Sequence, residues 1–135
     1  MCLQLAADCL MKSSRKLVVV IEDDLLVLEA TKSLLCSWGC KVIAAQSCGD
    51  ALKMLREIGQ RPDLIVCDYH LPKGSKGTDA IEKLRGDSEI PALLISADPT
   101  LPDCHDNPAR YRLLHKPVSA KAFRAMLVDA SVLRD

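Results

Sequence analysis

Four places in the chain set a reactive side chain directly behind a run of apolar residues. Leu64-Ile65-Val66-Cys67 ends on Asp68; Leu17 to Ile21 ends on Glu22, Asp23 and Asp24; Ile90 to Ile95 ends on Ser96; and the weaker run Tyr111 to His115 ends on Lys116 and Pro117. Apolar runs without polar alternation suit strands covered on both faces, as in parallel sheets. In open α/β sheets, ligands and chemistry collect at the carboxyl ends of the strands. Acids, a hydroxyl and an ammonium would then converge on one rim. Neighbouring carboxylates repel and rise in pKa unless a cation sits among them. Mg2+ suits such a place, because it prefers hard oxygen ligands, keeps several waters and is held by one or two carboxylates plus a phosphate. With that ion and Lys116 nearby, Asp68 can act as a nucleophile toward phosphorus, giving an aspartyl phosphate. The Ser96 hydroxyl can hydrogen-bond the bound phosphoryl group. Taken singly, each residue has a plain reading: Asp68 as a turn acid, Glu22 and Asp23 as helix-start acids, Ser96 as a turn residue, Lys116 as a solvated lysine. Their joint placement is what points to chemistry.

The elements that must position these groups alternate between strand and helix. Leu25 to Trp38 carries Val27, Ala30, Leu34 and Trp38 at helical spacing, with Gly39 where a stop belongs. Lys41 to Ala45 reads as a short strand. Ser47 and Asp50 offer caps to a second helix with Ala51, Leu52, Leu55 and Ile58 on its inner face, ending near Gly59. Behind Asp68 comes a Pro and Gly-rich loop, L-P-K-G-S-K-G, whose spacing fits no P-loop and reads as a turn. Thr78 can cap the short helix that follows, facing inward through Ile81 and Leu84. Ser119 to Leu133 closes the chain as a helix with Ala122, Phe123, Met126, Leu127 and Ala130 on its apolar face. Between Ser96 and Tyr111, Pro99, Pro102 and Pro108 leave room for at most one or two helical turns. This alternation predicts an α/β fold: one parallel sheet with right-handed crossovers and helices on both faces.

A chain of 135 residues is the size of one domain with its own core. Lysine plus arginine balance aspartate plus glutamate at 18 each, so no global field favours nucleic acid or an anionic membrane, and partners must be recognised locally. Seven cysteines, an odd number set mostly in apolar stretches without C-x-x-C spacing, read as core residues of a reducing cytoplasm. No apolar run reaches membrane-spanning length, and the first fifteen residues, with Asp8 in their middle and no basic start, do not read as a signal peptide. Residues 1–15 read as an N-terminal extension or linker whose Leu3, Ala6, Ala7, Leu10 and Met11 can line one side of a short helix. Residues 16–135 read as the functional domain.

From about Lys16 to Leu133 the chain resembles the receiver domain of two-component response regulators, through V-V-V-I-E-D-D, D-L-I-V-C-D-Y-H-L-P, P-A-L-L-I-S-A and L-L-H-K-P. The resemblance implies a doubly wound, flavodoxin-like five-stranded sheet in the order 2-1-3-4-5. It implies that Asp68 accepts phosphate from a phosphohistidine, borne by a histidine kinase or a histidine phosphotransfer domain. It also implies that Glu22, Asp23, Asp68 and the backbone carbonyl of His70 surround Mg2+, that Ser96 and Lys116 bind the phosphoryl group, and that Lys116–Pro117 is cis.

Two departures bear on how such a domain would signal. The family's switch aromatic stands three residues before the lysine, where this chain has Leu113, and the fourth of the family's five helices is eroded by prolines. The dimer face commonly built from that helix, the last strand and the last helix is therefore not expected in its usual form, which leaves the oligomeric state open, a monomer included. With L-L-H-K-P-V, these features look similar to the C-terminal receiver of hybrid sensor histidine kinases. Among other readings, a dehalogenase-type phosphatase needs a second acid where His70 stands, and a flavin binder would need a phosphate-binding loop where Glu22, Asp23 and Asp24 would repel one. A receiver that only binds a partner protein is the remaining alternative. The reading is a phosphoacceptor signalling domain, not an enzyme in its own right.

Overall fold

In a computed structural model of the chain, the residues described are 15–71, 76–86, 88–97 and 112–133. Within them the apolar runs form strands β1 (Leu17–Ile21), β2 (Lys41–Ala45), β3 (Leu64–Asp68), β4 (Ala92–Ser96) and β5 (Arg112–His115). Four helices, α1 (Leu25–Ser37), α2 (Cys48–Ile58), α3 (Gly77–Arg85) and α4 (Ala120–Asp129), lie between and after them. The strands are all parallel in the order β2-β1-β3-β4-β5, the doubly wound flavodoxin-like sheet expected from the sequence.

The core is built by the period of two along each strand. Leu17, Val19, Ile21, Ile65, Cys67 and Leu94 pack toward Ala51, Ala80, Ile81 and Leu84 on one face. Val18, Val20, Leu64, Val66 and Leu93 pack toward Leu28, Leu35, Phe123 and Leu127 on the other. β1 and β3 are buried along their whole length, which is why their sequences show no polar alternation. Register then places the chemistry: Ile21 pairs with Cys67, so Glu22 lies level with Asp68, and Asp68 itself pairs with Ile95. By the same alternation Glu22 and Asp68 follow Val20 and Val66 onto the α1/α4 face.

Local signals end the helices. Asp24 caps α1, its carboxylate accepting from the Leu26 and Val27 amides at 2.9 and 3.2 Å. At the other end Gly39, at φ +88°, and Cys40 donate back to the Cys36 and Leu35 carbonyls, a glycine-terminated close. Ser47 and Ser119 cap α2 and α4. The Lys116–Pro117 bond is cis, as expected.

Several expectations are corrected. α1 buries Leu28 and Leu35 instead of Val27 and Ala30, which turn toward a cleft between α1 and α4, while Leu34 and Trp38 pack half-buried against the core. Ile58, the last residue of α2, is exposed. α3 begins at Gly77 with Lys76 at its N-cap and no side-chain cap, so Thr78 lies inside the helix. β4 starts at Ala92, after Pro91, which lacks an amide for the ladder. α4 stops at Asp129, ahead of Ser131 with its positive φ. The extension over 1–14, the loop over 72–75 and the proline-rich crossover with Tyr111 fall outside the described residues. Among the described residues no helix is long and apolar enough to cross a membrane.

Candidate phosphoacceptor site

The β1–α1 turn is built to hold acids. The Glu22 amide donates to the Ala45 carbonyl at 3.1 Å, its carboxylate accepts from the Asp24 amide at 3.1 Å, and Gln46 Nε2 donates to the Asp23 carbonyl at 3.0 Å. Two side chains thereby face β3 while the third, Asp24, is spent on the cap. Carboxylate oxygens of Glu22, Asp23 and Asp68 all lie within 4.8 Å of one another; Glu22 and Asp68 are buried and Asp23 is exposed. Lys116 reaches in from the end of β5, its Nζ 3.1 Å from Asp68 Oδ1 and 3.6 Å from Glu22 Oε1. The Lys116 amide donates to the Ser96 carbonyl at 2.8 Å, which ties the β5 end to the buried Ser96 at the end of β4. His70 lies two residues past Asp68, exposed, edge-on to the Tyr69 ring at 4.9 Å and bridged through its backbone to Lys76.

The electrostatics follow from crowding. Burial, then the hydrogen bond and charge of Asp68, push the Glu22 carboxyl up to about 7. Burial pulls the Lys116 ammonium down, but the hydrogen bond and charge of Asp68 and the charge of Glu22 outweigh it and hold it above its ordinary value. Burial and the neighbouring Asp68 push up the Cys67 thiol, which is inert core and no nucleophile. Three hard carboxylate oxygens that resist sharing one small space are a donor set for Mg2+, and the residues fit that ion.

Beside these groups, between α1 and α4, runs a cleft of about 540 Å3. Val20, Val66, Ile95, Val27 and Phe123 line it with apolar surface, and Glu22, Asp68 and Lys116 line it as well. Sequence reasoning missed the apolar rim of this site. Leu25, Leu26 and Val27, in the first turn of α1, are 55%, 82% and 42% exposed. The signal was present as L-L-V directly behind the acids, ahead of Leu28, which is the residue that goes inward.

Fold and rim define an α/β domain with an acid cluster able to hold a cation and a facing lysine at the carboxyl edge of a parallel sheet. Residues 18–128 match the response regulator receiver domain family, and the chain belongs to it. It is 40% identical over 80 residues to the transcriptional regulatory protein AfsQ1 of Streptomyces coelicolor, covering 59% of this chain and 34% of that one. It is 32% identical over 123 residues to the phyllosphere-induced regulator PhyR of Methylorubrum extorquens, covering 87% and 46%. The chain thus spans between a third and a half of these curated relatives. Among solved structures, the receiver domain of Erythrobacter litoralis PhyR superposes with a TM-score of 0.73 at 26% identity, over 87% of this chain and 90% of that one.

Proposed function

We infer that this domain is switched by transfer of a phosphoryl group from a phosphohistidine onto Asp68. The observation that carries the reading is the convergence of Asp68 with Glu22, Asp23 and the Lys116 ammonium, 3.1 Å away, at one strand-end rim. Glu22, Asp23, Asp68 and the His70 carbonyl would hold Mg2+, which when bound neutralises charge on the phosphoryl oxygens. An Asp68 oxygen attacks phosphorus in line; the P–O bond forms as the P–N bond to the donor imidazole breaks, the electron pair going to that nitrogen, so the imidazole leaves neutral when its other nitrogen already carries a proton and otherwise as imidazolate that takes one from water. Lys116 gives up its contact with Asp68 to the incoming oxygens, and Ser96 donates its hydroxyl to one of them. A receiver of this kind assists its own modification without being a dedicated enzyme.

A phosphohistidine partner must approach over the first turn of α1, so Leu25, Leu26 and Val27 are its docking rim, flanked by the cleft toward α4. We place the parent protein among the response regulators, in place of the hybrid kinases suggested by L-L-H-K-P-V, because AfsQ1 and PhyR are regulators. A protein-binding output has one observation in its favour. The anti-anti-sigma factor PhyR of Bartonella quintana, in a solved mutant, matches with a TM-score of 0.72 at 26% identity, over 86% of this chain and 48% of that one. The test of the reading is intact-protein mass after incubation with acetyl phosphate and Mg2+. One added phosphoryl group, lost in Asp68→Asn and with excess chelator, is expected; an adduct that persists in both contradicts it, and no adduct in the wild type promotes the binding-only alternative.

A further inference from the structure

Gly77 opens α3, and nothing about its backbone demands a glycine: among the described residues the glycines with positive φ are Gly39, Gly59 and Gly86. Space demands it. A Cβ at this position would overlap the carbonyl oxygen of Asp68, meet its carbonyl carbon at 3.0 Å and meet Leu94 Cδ2 at 2.9 Å. The leucine tip can swing aside, but the Asp68 carbonyl cannot move without the peptide plane that follows the reactive residue. That plane and the one after it are each held by a backbone hydrogen bond. The Tyr69 amide donates to the Ile95 carbonyl of β4 at 2.9 Å, and the Tyr69 carbonyl accepts from the Gly77 amide at 2.6 Å, with His70 and Lys76 bridged just beyond.

We propose that Gly77 is a positioning residue for the reaction: by letting the first turn of α3 rest directly on the Asp68 backbone, it fixes where the Asp68 carboxylate and the His70 carbonyl stand against Glu22, Asp23 and Lys116. The inference rests on the reading of Asp68 as phosphoacceptor and adds the element that holds it in place. It also links α3 to the site through backbone atoms, so a shift of Asp68 is felt at the start of that helix.

The experiment compares Gly77→Ala with Gly49→Ala, a helical glycine whose Cβ would meet only Ser47 Oγ at 4.0 Å. Magnesium affinity is read by calorimetry, acetyl phosphate turnover is split into its saturating rate and half-saturation concentration, and thermal midpoints are recorded alongside. Gly77→Ala is expected to weaken Mg2+ roughly tenfold and to slow the saturating rate by up to about a hundredfold, the scale of a misplacement near 1 Å. Gly49→Ala should stay within about twofold, as expected of a helical site without a clash. Adding Leu94→Val to Gly77→Ala should restore neither quantity. Wild-type Mg2+ affinity and rate in Gly77→Ala, or their recovery on adding Leu94→Val, overturns the proposal, the second by moving the effect into core packing. If Gly77→Ala melts below the assay temperature, the wild type decides: the Gly77 amide resonance must shift in step with that of Tyr69 as Mg2+ is added, and a Gly77 resonance that stays still overturns the proposal. A wild type that binds Mg2+ but accepts no phosphoryl group contradicts the function reading alone, since the magnesium affinities still test Gly77.

Discussion

The two faces of one sheet are closed differently. On the α2/α3 side, Ala80, Ile81 and Leu84 meet Ile65, Cys67, Leu94 and Leu113 in a continuous buried cluster. On the α1/α4 side, Leu28, Leu35, Phe123 and Leu127 are buried, but a cleft of about 540 Å3 opens beside them toward the strand ends. The side chains bordering it there include the small Ala30, Thr31 and Ala120. Glu22 and Asp68 belong to this second side by strand alternation, and the exposed apolar turn Leu25 to Val27 borders it. The difference separates duties: one face carries packing, the other leaves its reactive groups approachable.

Three perturbations sharpen that contrast. The largest effect is expected for Lys116→Ala on the open face, which should slow phosphorylation by acetyl phosphate roughly a hundredfold, the usual cost of removing one donor to developing charge. Because that side chain is 36% exposed, its loss should barely move the melting temperature. Next come paired truncations measured by denaturant unfolding. Ile81→Ala on the closed face should cost about 3 kcal/mol, since the side chain is fully buried, whereas Leu26→Ala on the open rim should cost about 0.5 kcal/mol or less. Leu26→Ala should nonetheless slow transfer from a phosphohistidine protein by about tenfold, as a lost interface anchor does, and leave the acetyl phosphate reaction unchanged. Equal stability losses in the pair would erase the distinction between the faces.

The smallest effect is a pH dependence without metal. The fold holds the Glu22 carboxyl at about 7 against an ordinary 4.5, so the native state binds this proton more tightly than the unfolded chain. The resulting stability is complete below 4.5 and is lost as pH rises through 7. The melting temperature of the metal-free protein should therefore fall by about 5 °C across that window, and Glu22→Gln should flatten the fall. The raised Lys116 titrates above its ordinary 10.5 and plays no part there. A melting temperature that instead rises across the window would show Glu22 ionised and content in the apo site.

The closed face was more legible than the open one. Uninterrupted short runs such as Leu17–Ile21 and Leu64–Cys67 suit strands buried on both sides, and their order in the chain was enough to bring Asp68, Glu22, Asp23 and Lys116 to one rim. α1 was harder, because L-L-V-L-E-A-T-K-S-L-L-C-S-W offers apolar residues to more than one direction, and periodicity alone chose Val27 and Ala30 over Leu28 and Leu35. Gly77 was hidden for another reason. It closes a stretch rich in turn formers where α3 begins, and the atom that forbids a side chain there belongs to Asp68, nine positions earlier in the chain. Leu113, where the family carries an aromatic, takes its place in the closed-face core, 6% exposed.

The most direct test of the central claim is to locate the phosphoryl group chemically. Protein treated with acetyl phosphate and Mg2+ is reduced with borohydride, which converts an acyl phosphate of aspartate to homoserine, and is then mapped by peptide mass spectrometry. Homoserine at position 68, absent without Mg2+, is the expected result. Modification that maps to His70, Ser96 or another carboxylate, with Asp68 intact, would contradict the account.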